Sequence, residues 1–393
     1  MDTWDKVMRL SGRKLVQIGE ALGFQNLDPD AGKILITGGT GIIGHRVAQR
    51  LLLGNTAKDG NNNPLRIGCH QTESLPEFEK QGAEIVEFDW NKEGTYSAAL
   101  QGIKSVLCTI PYQQGWSQHF PAFIKACKVA GVKHIVKLSF YHANASNDSL
   151  FQNVPLVREH AACDEQLVNM AIPPLDLTPA LAADASVEWD DDDDGEGAGG
   201  GGGRTRRLSY TIIHASHFMS NPFLFQRKEL RESEIPGTYH GCSQDRGVNY
   251  VSPNDVAEVA VYCLLEPRKH YDKEYTITGP QAIPDKQVAG LLSKYLHKSI
   301  VYVDEPVQLF TENMSSRPDW MVCDLAALEE IKASGQEEDP SFVSPDFETI
   351  CGHKPETFQE YLQRTEMMVS IEEAPPGGVA LDTMEALPTP ILA

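Results

Sequence analysis

Residues Lys33 to Leu53 read KILITGGTGIIGHRVAQRLLL, and this stretch decides the fold. The apolar run Ile34-Leu35-Ile36 has the character of a buried strand. A glycine-rich turn follows, and then a helix with Ile43, Val47 and Leu51 on one face. Strand, turn and helix in that order form a dinucleotide-binding unit. Gly38 permits the tight turn, Gly41 lets backbone N–H groups approach a pyrophosphate, and Gly44 lets the helix pack on the strand. The start of the helix adds free N–H donors and the positive end of its dipole. A glycine triplet alone is an ordinary βα turn; the strand before it and the helix after it give this one its meaning.

Outward from that unit, strands and helices alternate. Leu65–Cys69, Glu84–Phe88, Ser105–Ile110, His134–Phe140 and Tyr210–His214 read as further strands, with helices over Phe120–Ala130 and Leu156–Met170. Alternation of this kind predicts right-handed crossovers and an α/β fold with a doubly wound parallel (Rossmann) sheet. Five segments follow along the chain: an N-terminal helical extension over 1–31, a dinucleotide-binding domain over 32–172 and an insertion over 173–208. The last Rossmann strands and a smaller C-terminal α/β substrate lobe occupy 209–365, and a flexible tail 366–393. The insertion contains WDDDDDGEGAGGGGG, far from the two to six residues usual for such a connection. Like charges beside polyglycine bury too little apolar surface to offset ordering, so a solvated loop is expected there. A tether built from Asp190 to Asp194 is the functional alternative.

Composition narrows the function classes. A formal charge of -21 opposes a nucleic-acid partner, which needs a basic surface. The sequence has no basic amphipathic stretch for a membrane surface and no run of apolar residues long enough to span one. The eight cysteines are dispersed and lie mostly in apolar runs, as Cys108, Cys127 and Cys263 do, so reduced thiols are expected and no metal centre. A cytoplasmic protein follows from these features.

The turn TGGTGIIG resembles the Thr-Gly-x-x-Gly-x-x-Gly pattern of atypical short-chain dehydrogenase/reductases. HIVKLSFYHA, YTIIHASHFMSNPF and VSPNDVAEVAVYCL resemble the NmrA-like branch of that superfamily. KEYTITGPQAIPDKQVAGLLSKYL and SFVSPDFETICGHKPETFQEYL resemble its C-terminal lobe and last helix. The likeness covers about 32–365. It implies cofactor contacts from Thr37, Gly38, Thr40, Gly41, Ile42, Ile43 and Gly44, and from Ile110 and Pro111 along the edge of the cofactor. Asp89 matches an acid that binds the adenine amino group, with capping of its own turn as the alternative. His70 closes the second strand, where an acid would hold the ribose 2′-hydroxyl and a cation a 2′-phosphate; its presence favours NADP, with NAD possible.

Catalysis departs from the superfamily pattern, because no tyrosine has a lysine four residues later. Ser139 and Tyr141 fall at the end of the fifth strand, and His160 on the next helix stands where related proteins carry Lys or His. These three are the catalytic candidates; His160 is an acid/base by its near-neutral pKa or a group that only orders the ribose. His217, Phe218, Met219, Asn221, Pro222 and Phe223 are candidates for an apolar substrate lining, and Asp255 for a structural place at a helix start. The expected function is an NADPH-preferring oxidoreductase acting on a small carbonyl, imine or activated double bond, of the kind found in secondary metabolism. A non-catalytic redox sensor with a protein partner, and a redox-neutral isomerase or epimerase, are the alternatives.

Overall fold

The computed structural model describes residues 33–54, 65–70, 75–111, 113, 115–146, 149–171, 208–222, 237–314 and 317–364. The expected N-terminal extension, all but Leu208 of the insertion, and the tail lie outside these residues, as does Phe223.

Seven parallel strands build the main sheet: β1 (Lys33–Thr37), β2 (Leu65–Cys69), β3 (Glu84–Glu87), β4 (Ile103–Cys108), β5 (His134–Phe140), β6 (Ser209–Ala215) and, entering late, β10 (Lys273–Ile277). Their order across the sheet is β3-β2-β1-β4-β5-β6-β10. The helices α1 (Ile42–Gly54), α2 (Pro76–Lys80), α3 (Tyr96–Leu100), α4 (Phe120–Ala130) and α5 (Pro155–Ala171) connect the first six strands. Strands β4 to β6 are almost wholly buried because helices cover both faces of the sheet. On one face Val47 and Leu51 of α1 pack with Val256 and Ala260 of α6 (Pro253–Leu265). On the other, α3, α4 and α5 bury an aromatic group of Phe88, Trp90, Tyr96, Phe120 and Phe123. The expected doubly wound α/β architecture is therefore present.

Element limits agree closely with the periodicity, with two instructive differences. The fourth strand is expected to run on to Ile110 but stops at Cys108. There the ladder gives way to side-chain bonds, as Thr109 N donates to Thr37 Oγ1 at 2.9 Å. Lys273–Ile277 was grouped with the C-terminal lobe, yet β10 pairs with β6 and forms the edge of the main sheet. Its first two residues are exposed, so KEYTI lacks the apolar signature of the inner strands.

The remaining elements are short. Strands β7 (His217–Phe218), β9 (Gly247–Val251) and β11 (Ala282–Pro284) make one small sheet, and β8 (Gly237–Gly241) and β12 (Ile300–Asp304) another. Helices α7 (Pro267–His270), α8 (Asp285–Tyr295), α9 (Val307–Asn313), α10 (Asp319–Ser334), α11 (Asp346–Cys351) and α12 (Phe358–Gln363) complete the structure. Tyr239, Tyr250, Leu292, Phe358 and Tyr361 form a second core there. All eight cysteines are free, six of them buried. No described helix is long and apolar enough to cross a membrane.

The start of α6 holds an acid far from its usual range. Ser252 caps the helix by accepting from Asn254 N. Asp255 is 4% exposed, and its Oδ2 accepts from Glu356 N at 2.7 Å. Burial, aided by the carboxylates of Glu356 and Glu258, pushes its pKa up to about 7 from 3.8. The folded state then binds a proton that the unfolded chain has already released, so stability falls as pH rises from about 4 to about 7. Asp255→Asn keeps an acceptor for Glu356 N. It is expected to stabilise the protein by about 2–4 kcal/mol at pH 8 and by little at pH 4, as read from urea denaturation at the two pH values.

Candidate functional site

The order of the sheet reverses between β1 and β4, and a crevice opens beyond the carboxyl ends of strands at such a point. Two threonines tie it together. Thr37 Oγ1 donates towards Leu107 O and Thr109 O (3.1 and 3.2 Å), and Thr109 Oγ1 returns a bond to Thr37 O at 2.5 Å. Gly38 follows with φ of +68°, and a Cβ there would lie 2.5 Å from Thr109 Oγ1. A Cβ on Gly44 would stand 2.3 Å from the carbonyl oxygen of Gly38, a backbone atom that cannot swing away. The turn thus closes tightly against α1. Within it Gly39 N bonds Gly68 O and Gly41 N bonds Gly38 O. Ile43 is buried beneath the turn, whereas Thr40, Gly41 and Ile42 are partly exposed. The first N–H groups of α1 have no intrahelical acceptor, and its first turn has no acidic side chain. This end of the helix can accept a phosphate group.

At the ends of β2 and β3, His70 Nε2 lies 3.2 Å from Asp89 Oδ2 and Lys92 Nζ 3.5 Å from the same oxygen. Asp89 Oδ1 accepts from Asn91 N at 2.9 Å, the turn-capping bond expected as the alternative to its adenine contact. Lys92 is a cation that the sequence reading did not single out. Ile110 is buried and Pro111 partly exposed at the crevice.

The three catalytic candidates have different surroundings. Tyr141 is fully buried, and its hydroxyl donates to Phe342 O at 2.7 Å. Burial and the carboxylate of Glu337 hold its pKa far above the usual tyrosine value. Ser139 gives its hydroxyl proton to Asp164. His160 is buried on α5 with its ring against Trp116, centroids 5.3 Å apart. What joins His160 to Ser139 is a residue missed in the sequence, Lys137. Its Nζ donates to Asp164 Oδ1 at 2.6 Å and lies 3.4 Å from His160 Nδ1, inside the core. Burial first, then the charges of Lys137 and His214, hold His160 well below the usual histidine pKa, so it is neutral. The group continues through His214, whose Nδ1 lies 3.9 Å from Asp164 Oδ2 and whose Nε2 lies 3.1 Å from Glu274 Oε2 at the sheet edge. The signal was present in HIVKLSF, where a lysine interrupts an otherwise apolar buried strand.

The substrate candidates separate. His217 is buried, with Nε2 3.2 Å from Glu337 Oε1, and with Asn221, Tyr239, Phe310 and Lys332 it lines a cavity of about 50 Å³, room for one small group. Pro222 also lines it. Phe218 is core, packed with Val251 and Val256. Met219 faces a different hollow of about 330 Å³, lined also by Gln281, Gln287 and Phe358.

Comparison with known proteins agrees with this fold. The model of the NmrA-like family matches residues 30–175, and the resemblance read from the sequence is borne out. The chain is 24% identical over 336 residues to the prestalk A differentiation protein A of Dictyostelium discoideum, covering 84% of this chain and 92% of that one. It is 26% identical over 270 residues to an NAD(P)H azoreductase of Xenophilus azovorans, covering 69% and 76%. The NADPH complex of an Escherichia coli NADPH-dependent quinone oxidoreductase shares the fold with a TM-score of 0.63 at 21% identity, over 85% of this chain and 99% of that one.

Removing one member of a buried ion pair strands the other. Lys137→Met is expected to destabilise the protein by about 3–5 kcal/mol, and Lys137→Met/Asp164→Asn to recover most of that loss. Urea midpoints of the two variants check both outcomes.

Proposed function

We propose that this NmrA-like chain is an NAD(P)-dependent oxidoreductase that prefers NADPH and reduces a small carbonyl, imine or activated double bond. The observation that carries this reading is the phosphate turn: a tight glycine turn at the reversal point of the sheet, closed against a helix whose first turn has no acidic side chain. The names of the azoreductase and quinone oxidoreductase relatives agree with it.

The residues fit the cofactor as follows. The turn from Thr37 to Gly44 and the first N–H groups of α1 would hold the pyrophosphate, and Ile110 and Pro111 would line the crevice. His70 and Lys92 would meet a 2′-phosphate, since β2 ends without an acid to bind a free 2′-hydroxyl. Asp89 keeps both of these side chains near the crevice. When bound, the cofactor supplies hydride. The chain supplies orientation and a hydrogen bond from His160, while Ser139 and Tyr141 act as supports through their bonds to Asp164 and Phe342.

Those two committed hydroxyls also favour a second reading, a cofactor-state sensor that turns nothing over. Epimerisation gains no such support, because it needs a group that takes and returns a proton. Tyr141 is held protonated, and His160, held well below the usual histidine pKa, is a weak base.

Calorimetric titration with NADPH, NADP+, NADH and NAD+ tests the proposal. NADPH is expected to bind at least tenfold more tightly than NADH, about 1.4 kcal/mol. Gly41→Val is expected to abolish binding while the protein stays folded, and His70→Glu to weaken NADPH about tenfold. Binding of the oxidised forms alone would support the sensor, and no binding at all would overturn both readings.

A further inference from the structure

We propose that Lys137 is a positioning residue that fixes His160 as the neutral tautomer with its proton on Nε2, making it a hydrogen-bond donor and neither an acid nor a base. The purpose of this arrangement rests on the reductase reading; the tautomer itself is a property of the chain alone.

Register places Lys137 close to the crevice. Lys137 stands opposite Cys108, the last residue of β4, and the next residue, Thr109, is bonded to Thr37 at the end of β1. Lys137 is thus one strand from the reversal point, level with the end of β4. Its ammonium group has donors only. Asp164 Oδ1 takes one at 2.6 Å, Leu138 O lies at 3.4 Å, and His160 Nδ1 also lies at 3.4 Å. Two N–H groups cannot point at each other across that distance, so Nδ1 is the acceptor and the proton of the neutral ring is on Nε2. No described residue accepts from Nε2.

The surroundings hold this state. Trp116 packs edge-on against the imidazole, its ring centroid is 5.8 Å from Lys137 Nζ, and Ser117 N ties its turn to Glu159 of α5 at 3.2 Å. The other titratable groups packed around the pair are Cys108 on β4, Glu159, Cys163 and Asp164 on α5, and His214 on β6, with Glu274 on β10 beyond it. Asp164 balances the charge of Lys137, and burial disfavours a second charge on His160. A neutral imidazole that donates from Nε2 keeps its proton, because an imidazolate is far too basic to form near neutral pH. A polar atom of a bound molecule would find a fixed donor whose strength does not vary with pH. In the superfamily pattern a lysine and its partner share one helix, four residues apart. Here the cation is on a strand and its partner on the following helix, so the same kind of control is exerted across the strand–helix interface.

The test is ¹⁵N NMR of the full chain labelled at histidine, without cofactor, with His160 assigned by comparison with His160→Gln. His160 is expected to show a protonated Nε2 and an unprotonated Nδ1, unchanged between pH 5.5 and 8. In Lys137→Met/Asp164→Asn, which leaves no lone charge in the core, the ring is expected to populate both tautomers or to titrate in that range. A proton on Nδ1 or an imidazolium at pH 7 in the wild type would overturn the proposal without need of the variant. An unchanged His160 pattern in the double variant would overturn it as well. NADPH titration of the wild type is read separately: the expected tautomer without NADPH binding would sustain the assignment of Lys137 and remove the reductase reading.

Discussion

The reciprocal hydrogen bonds between Thr37 and Thr109 are the constraint on which the rest of the site depends. They replace the backbone ladder at the one place where neighbouring strands must part, so the chain leaving β1 turns towards one face and the chain leaving β4 towards the other. A crevice between two diverging loops needs this kind of stop. Were β1 and β4 to continue pairing, the glycine turn could not lift away to meet α1. The hydroxyl of Thr37 therefore belongs to the scaffold, although the sequence pattern presents it as a cofactor contact. Both roles are compatible, because its backbone remains at the lip of the turn.

The second organising feature is charge placed in the centre of the molecule. Lys137 and Asp164 bring a full positive and a full negative charge into a core otherwise built of Val136, Leu138, Phe123 and their neighbours. A buried pair of this type is often no more stable than apolar residues of the same volume, so stability is a weak explanation for it. It sets the states of its neighbours instead: Ser139 as donor, His160 as neutral ring, His214 as a link to Glu274 at the surface. The polar groups have few other arrangements open to them, and that rigidity suits a site whose cofactor does the difficult chemistry.

Much of this was legible in the sequence because the informative signals are local. The limits of β2, β5 and α4 coincide with those expected, since the apolar residues of LRIGC and HIVKLSF mark buried strands despite Arg66 and Lys137, and α4 ends on Gly131 in the left-handed conformation. The glycine turn was legible for the same reason: its demands on the backbone are met by residues a few positions apart. Lys137 was not, because its meaning lies in Asp164 and His160, on a helix that begins only after the strand has ended. Tyr141 reads as a catalytic candidate in the sequence, which does not show that its hydroxyl donates to the carbonyl of Phe342, a partner 201 residues away. Edge strand β10 reads with the C-terminal lobe in the sequence because its exposed lysine and glutamate lack the apolar signature of the inner strands.

The crossover from α5 to β6 starts after Ala171 and re-enters the core at Leu208, which is buried at the start of β6. A parallel strand begins at the edge of the sheet opposite the one where it ends, so this connection meets the sheet on the side away from the glycine turn and His160. The topology therefore puts the start of β6 and the glycine turn at opposite edges of the sheet. Opening the backbone between these residues and joining it elsewhere would change the order in which the strands are synthesised, but not the order in which they lie.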